Sequence, residues 1–267
     1  MWWHSVGLKA FYDQWRGTVG LAVAVAAYAG LIMGIFPSIS GIADLREIFD
    51  RLPEAMRVLF APGGVDITTP EGFVATEFFS IIGPLLFFAY TIALGSSATA
   101  GEEERGTIDV LMSTPISRGR VVLEKFVSLA VGTVLIGAAL LAGLAAGALA
   151  GGVDLRLDGI AAIIASAVLL GLLFGALALF VGALTGRRTL SIGVAFGIAI
   201  ASYLVYSLSD LVDLIKPLRP LSAFTYYIGD SPLLNGLQPL SVAVLAVTTV
   251  ILLGLALLAF ERRDLRV

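Results

Sequence analysis

The chain has no cysteine, one histidine and only three lysines among its 267 residues. The missing cysteine excludes disulfides and thiolate metal sites, although it names no redox compartment. With His4 as the only imidazole, a Ser/His dyad, an HExxH metal site and a histidine proton relay are all absent. Lys9, Lys125 and Lys216 follow Leu8, Glu124 and Ile215, so none completes the glycine-lysine step of a Walker phosphate loop. Charge is scarce too, at 14% of residues where a soluble domain carries roughly 25%. Hydrophobic residues make up 58%, and mean hydropathy is +0.96. There is too little polar side chain to coat a globule, which rules out a soluble enzyme.

What is present is arranged in runs. Six stretches contain no Asp, Glu, Lys or Arg: Gly17 to Ala43, Phe78 to Gly101, Phe126 to Val153, Gly159 to Gly186, Thr189 to Ser209 and Ser231 to Phe260. A helix rising 1.5 Å per residue needs about 20 apolar residues to cross a hydrocarbon core of ~30 Å, and every run suffices. Runs such as Leu135 to Ala150 show none of the alternation that a membrane barrel requires. The predicted fold is therefore all-α, a single polytopic domain over 1–267 with six transmembrane helices at 17–37, 78–101, 121–152, 159–186, 189–209 and 238–260. The first run is longer than the apolar core of a signal peptide, about 7 to 15 residues, and reads as an uncleaved helix.

Orientation follows from the basic residues in the connections, because Lys and Arg are retained on the cytoplasmic side. With the N-terminus inside, the inner segments hold Lys9, Arg16, Arg105, Arg118, Arg120, Lys125, Arg187, Arg188, Arg262, Arg263 and Arg266. The outer segments hold Arg46, Arg51, Arg57, Arg156, Lys216 and Arg219, so both termini are expected in the cytoplasm. The formal net charge of -3 and the isolated Arg187-Arg188 pair give no nucleic-acid footprint.

The connections carry most of the information. Residues 1–16 place Leu8, Phe11, Tyr12 and Trp15 at helical spacing against Lys9, Asp13 and Arg16, which predicts an interfacial helix with aromatic anchors. The outer loop 38–77 repeats the pattern with Ile42, Leu45, Ile48, Phe49, Leu52, Met56 and Leu59. That stripe fits a helix lying in the interface or capping the bundle, and a substrate gate is the alternative. The inner segment 102–120 is the most unusual: Thr107 can cap a short helix with Ile108, Leu111 and Met112 on one face, and Pro115 stops it. An amphipathic helix across the inner membrane face can simply lie there, or it can dock a cytoplasmic partner. The last outer connection, 210–237, has Pro217, Pro220 and Pro232 with the aromatics Phe224, Tyr226 and Tyr227, and its apolar irregular backbone calls for cover by the bundle. The tail is 261–267.

The string GEEERGTIDVLMSTPISRGRVVLEKF at Gly101 to Phe126 resembles the signature of type-2 permease subunits of ATP-binding-cassette (ABC) exporters. LTGRR at Leu184 to Arg188 and FERRDL at Phe260 to Leu265 extend the resemblance over essentially the whole chain. It implies that the segment containing Glu102, Glu103, Glu104, Arg105, Thr107, Asp109, Leu111 and Met112 is a coupling helix seated in a cleft of a separate ATPase subunit. It also implies that ATP and Mg are bound by that partner, with no cofactor in this chain. The N-terminal segment would be a connecting helix beside the ATPase, and 210–237 a re-entrant element closing the exit. A second copy or a similar permease completes the assembly in the plasma or inner membrane of a prokaryote.

The six runs offer no ionisable group for proton or ion coupling. Gly30 and Gly34, Gly143, Gly147 and Gly151, Gly171 and Gly175, Gly182 and Gly186, and Gly193 and Gly197 have the spacing that lets helices approach closely, with sliding of the third and fourth helices at a protomer interface as a sharper option. Phe87, Phe88, Tyr90, Tyr203 and Tyr206 are candidates for an apolar substrate path, with ordinary packing as the plain alternative. Met33, Met56 and Met112 are too scattered for a copper path. The expected function is export of an apolar or amphipathic substrate, against an ATP-independent carrier or a membrane scaffold.

Overall fold

The computed structural model describes residues 6–40, 51, 53, 69–104, 106 and 117–263. Most of the outer amphipathic stripe, the coupling positions Arg105, Thr107, Asp109, Leu111 and Met112, and the last four residues lie outside the described residues. Among the described residues the helices are α1 (Val6–Ser40), α2 (Pro70–Val74), a π-helical segment (Ala75–Ile82), α3 (Gly83–Ala98), α4 (Ala100–Glu104), α5 (Arg118–Gly151), α6 (Leu157–Thr185), α7 (Arg188–Leu208), α8 (Ala223–Ile228), α9 (Pro232–Asn235) and α10 (Pro239–Arg262), with a 3-10 turn at Lys216–Leu221 before α8. No strand occurs among them. Six spans are long and apolar enough to cross a membrane: Lys9–Ser38, Pro70–Ala98, Arg118–Gly151, Leu157–Thr185, Arg188–Leu208 and Pro239–Arg262. Six crossings put the start of α1 and the finish of α10 at one end of the bundle, called here the termini end, with the opposite end distal.

Two boundaries differ from the expectation. Residues 6–16 form no separate interfacial helix but are the first turns of α1, since nothing between Gln14 and Gly20 breaks a helix. The second span begins at Pro70 instead of Phe78: Thr69 caps it by accepting the Gly72 N–H at 3.1 Å, and Pro70 sits where a missing N–H costs nothing. Glu71 and Glu77 thereby fall inside a spanning helix.

That second span is not uniformly α-helical. Gly83 N–H donates to the Phe78 carbonyl five residues back, and Ser80 Oγ donates to Ala75 O at 3.1 Å. In the same register Phe79 O would take its bond from residue 84, but Pro84 has no N–H to give. The orphaned carbonyl instead accepts the Tyr227 hydroxyl of α8 at 2.9 Å. Since an unpaired carbonyl in a buried site costs about 1–3 kcal/mol, α8 and the π segment are tied to each other by Pro84.

α6 is the centre of the bundle, with 72% of its window buried against 17% for α10. Close approach around it relies on glycine. A Cβ on Gly143 or Gly147 of α5 would strike the backbone of Ala26 or Gly30 on α1, and one on Gly95 of α3 would strike Gly175 O on α6. Gly143, Gly147 and Gly151 of the third span are thus consumed against the first, and Gly171 and Gly175 of the fourth against the second. Gly193 and Gly197 on α7 meet nothing. Large exposed side chains such as Val23, Leu240 and Val250 make the lipid-facing belt that a chain without polar cover needs.

Candidate functional site

Among the described residues most of the charge lies at the termini end, where α4 carries three consecutive glutamates. Thr99 leaves helical geometry (φ -123, ψ -64) and turns α4 away from the axis of α3. Glu102 Oε1 then accepts Lys125 Nζ of α5 at 2.9 Å, and the same ammonium donates to Ala98 O at 2.9 Å. Lys125 is only 8% exposed, so its charge is held by these oxygens rather than by water. Glu103 takes Arg263 Nη2 with both oxygens, at 2.5 and 2.6 Å, in a pair with side chains 9% and 17% exposed. Glu104 Oε1 accepts the backbone N–H of Arg188, the first residue of α7, at 2.8 Å. A carboxylate there also suits the positive end of the α7 dipole.

The basic side of this cluster is cross-braced. Arg263 Nη1 donates to Ala183 O near the end of α6 at 3.1 Å, and Arg118 Nη1 donates to Arg263 O at 2.8 Å. The chain leaves α6 through Gly186 at φ +65, which glycine adopts without strain; a side chain there would also collide with the Arg263 guanidinium. One cluster therefore joins α4, α5, α6, α7 and the residue after α10, at the point where the chain enters segment 105–116.

Of the three glutamates expected to meet a partner, Glu102 and Glu103 are half-buried and Glu104 is exposed. Glu102, Glu103 and Glu104 each engage a group of the same chain, and the reason is local: the bend at Thr99 swings α4 toward the ends of α5, α7 and α10. The glutamates' partners Lys125, Arg188 and Arg263 did not stand out as site residues. The available signal was that each is a basic residue at the inner end of a predicted span, two of them within the strings LTGRR and FERRDL.

The aromatic candidates are mostly packing residues. Phe87 and Phe88 are buried, with Phe87 over Gly171 and Phe88 edge-on to Phe174 at 4.8 Å between ring centres. Tyr206 is buried under the Arg219 guanidinium, 5.3 Å from its ring centre. Tyr203 is edge-on to Phe224 at 5.2 Å. Tyr90 shares a 2.9 Å hydrogen bond with Thr18 of α1 and fills the space above Gly132. Each of the five has packing or hydrogen-bond partners within the protomer.

The chain belongs to the ABC-2 family of transporter proteins, whose model matches residues 22–265. It is a multi-pass membrane permease of an ABC transporter and not the nucleotide-binding subunit. A comparison with curated protein sequences finds no match.

Proposed function

We propose that this permease exports an apolar or amphipathic substrate, driven by ATP hydrolysed with Mg on a separate ATPase subunit. It would work as a half-transporter beside a second copy or a similar permease, in the plasma or inner membrane of a prokaryote with both termini in the cytoplasm. The observation that carries the reading is the ion-paired cluster at Glu102 to Glu104, which joins the chain entering segment 105–116 to the ends of four spanning helices. Arg105, Thr107, Asp109, Leu111 and Met112 would meet the ATPase. A push on them would be delivered through Glu103 and Arg263 to α6 and α10, and through Glu102 and Lys125 to α5. The excess of Lys and Arg at this end supports its cytoplasmic placement.

Purification of the tagged chain in mild detergent, followed by mass spectrometry, tests the partner. A companion with a Walker sequence at about one per chain is expected, and ATP-dependent uptake into inverted vesicles should follow. A companion-free chain with gradient-driven uptake would favour a carrier, and no uptake at all a scaffold.

A further inference from the structure

Among the described residues, Glu77 is the carboxylate that lies furthest inside a spanning helix, on its half-exposed face. Its depth follows from α1. Lys9, Asp13 and Arg16 hold the start of that helix at the polar boundary, so a crossing of about 20 residues runs from Gly17 to Phe36. Tyr28 then lies eight residues, about 12 Å, inside the distal boundary. Its hydroxyl donates to Glu77 Oε1 at 2.9 Å, which places the carboxylate at nearly the same depth. The second span agrees: Glu71, at the distal edge, accepts the Arg156 N–H, and Glu77 is six residues further in.

A carboxylate at that depth is costly against lipid, and such groups face a water-filled path or a compensating charge. Among the described residues no Lys or Arg lies within ion-pair distance of Glu77, and its recorded partner, Tyr28, is neutral. The surrounding face is uncovered and apolar. Ile81 and Leu85 follow Glu77 at four-residue intervals and are 38% and 52% exposed. On the facing helix Tyr28, Leu31 and Ile35 form a second exposed flank. The opposite side of the span, with Phe78, Phe79 and Phe87, is buried in the core.

We infer that the groove between α1 and the second span binds a hydrophobic organic cation, with Glu77 as counter-ion, the Tyr28 ring beside the charge, and Leu31, Ile81 and Leu85 against the apolar body. A quaternary ammonium or phosphonium fits because it cannot lose its charge and brings its own apolar cover. The ring adds a cation–π attraction that a neutral solute would not feel. A single carboxylate without further oxygen ligands is a poor site for a hard metal ion. The inference deepens the exporter reading by naming a substrate class, and it rests on that reading only for the cation being transported.

Binding of radiolabelled tetraphenylphosphonium to the purified complex in detergent, without nucleotide, tests it. Saturable binding is expected, with tetraphenylborate, equal in shape and opposite in sign, at least about tenfold weaker. Glu77→Gln keeps an oxygen for the Tyr28 hydroxyl and removes only the charge, so it should weaken the cation about tenfold while Glu77→Asp retains it. Absence of saturable binding, equal binding of cation and anion, or full affinity in a folded Glu77→Gln variant would each overturn the assignment. The anion comparison needs no variant and so survives a Glu77→Gln chain that fails to fold. Failure of the exporter reading has a separate signature, the absence of an ATPase companion, which leaves the binding result intact.

Discussion

The two ends of the bundle are held by different chemistry. At the termini end, Glu102, Glu103 and Glu104 bind Lys125, Arg263 and the Arg188 N–H, and the main ion pair is almost wholly buried. At the distal end the buried ties are neutral, and the ion pairs Arg156–Asp158, Lys216–Asp213 and Arg219–Asp210 are more exposed. Tyr227 donates to Phe79 O, Ser222 Oγ donates to Ser202 O at 2.7 Å, and Phe224 packs edge-on to Phe88, Tyr203 and Tyr227. A buried charge pair allows few geometries, because separating it leaves uncompensated charge in an apolar site. A buried neutral bond to one carbonyl costs about 1–3 kcal/mol when it is broken, less than uncompensated charge does. The termini end is thus tied by buried charge, and the distal end, with its π segment, by weaker neutral contacts.

The largest effect should come from breaking the buried pair. Arg263→Ala leaves Glu103 charged and unpaired and also frees Ala183 O, for an expected loss of about 3–5 kcal/mol. The fall in melting temperature of the detergent-solubilised chain would measure it. The charge-swapped double variant Glu103→Arg with Arg263→Glu should recover part of that loss. If each single variant melts like the wild type, the termini end is not a braced unit and the contrast between the ends disappears. Lys125→Met comes next, at about 1–3 kcal/mol, because the aliphatic replacement fills the site while Glu102 can turn toward solvent.

Much of the fold was legible because the membrane imposes a length. Runs without charge had to be helices, and the fourth span, free of charge from Gly159 to Gly186, proved to be the central one. Boundaries were less legible. Charge counting stopped the second span at Glu77, yet a helix can carry a carboxylate that a tyrosine on another span meets, and Tyr28 is separated from it by 49 positions. The site was half legible. The string Gly101 to Phe126 marked the place, but whether Glu103 faced a partner or its own chain depended on the bend at Thr99, whose geometry no residue pattern announces. The glycine pairs were visible as a pattern, while their assignment was not: Gly143 and Gly193 have equivalent spacing, and only one is covered.

A smaller effect sharpens the contrast from the distal side. Tyr227→Phe keeps the ring against Phe224 and removes the hydroxyl, leaving Phe79 O without its donor. The expected cost is about 1–2 kcal/mol, and protection of nearby amides against hydrogen exchange should fall in Ala75–Ile82 and not in α5. A loss of protection at both ends would mean that the distal tie is as structural as the buried ion pair.

The smallest effect is a control for charge itself. Arg120 and Glu124 on α5 form an i,i+4 pair at 2.8 Å, close in sequence to Lys125, but Arg120 is 59% exposed. Screening by water and salt should hold the cost of Arg120→Ala to about 0.5 kcal/mol or less, and to still less at high salt. The Arg263→Ala loss should hardly respond to salt, because the pair it breaks is shielded from ions. Measuring both variants at low and high ionic strength therefore separates burial from charge. If the two losses shrink together, the termini end is held by surface electrostatics, and a push on segment 105–116 would dissipate there instead of reaching α6 and α10.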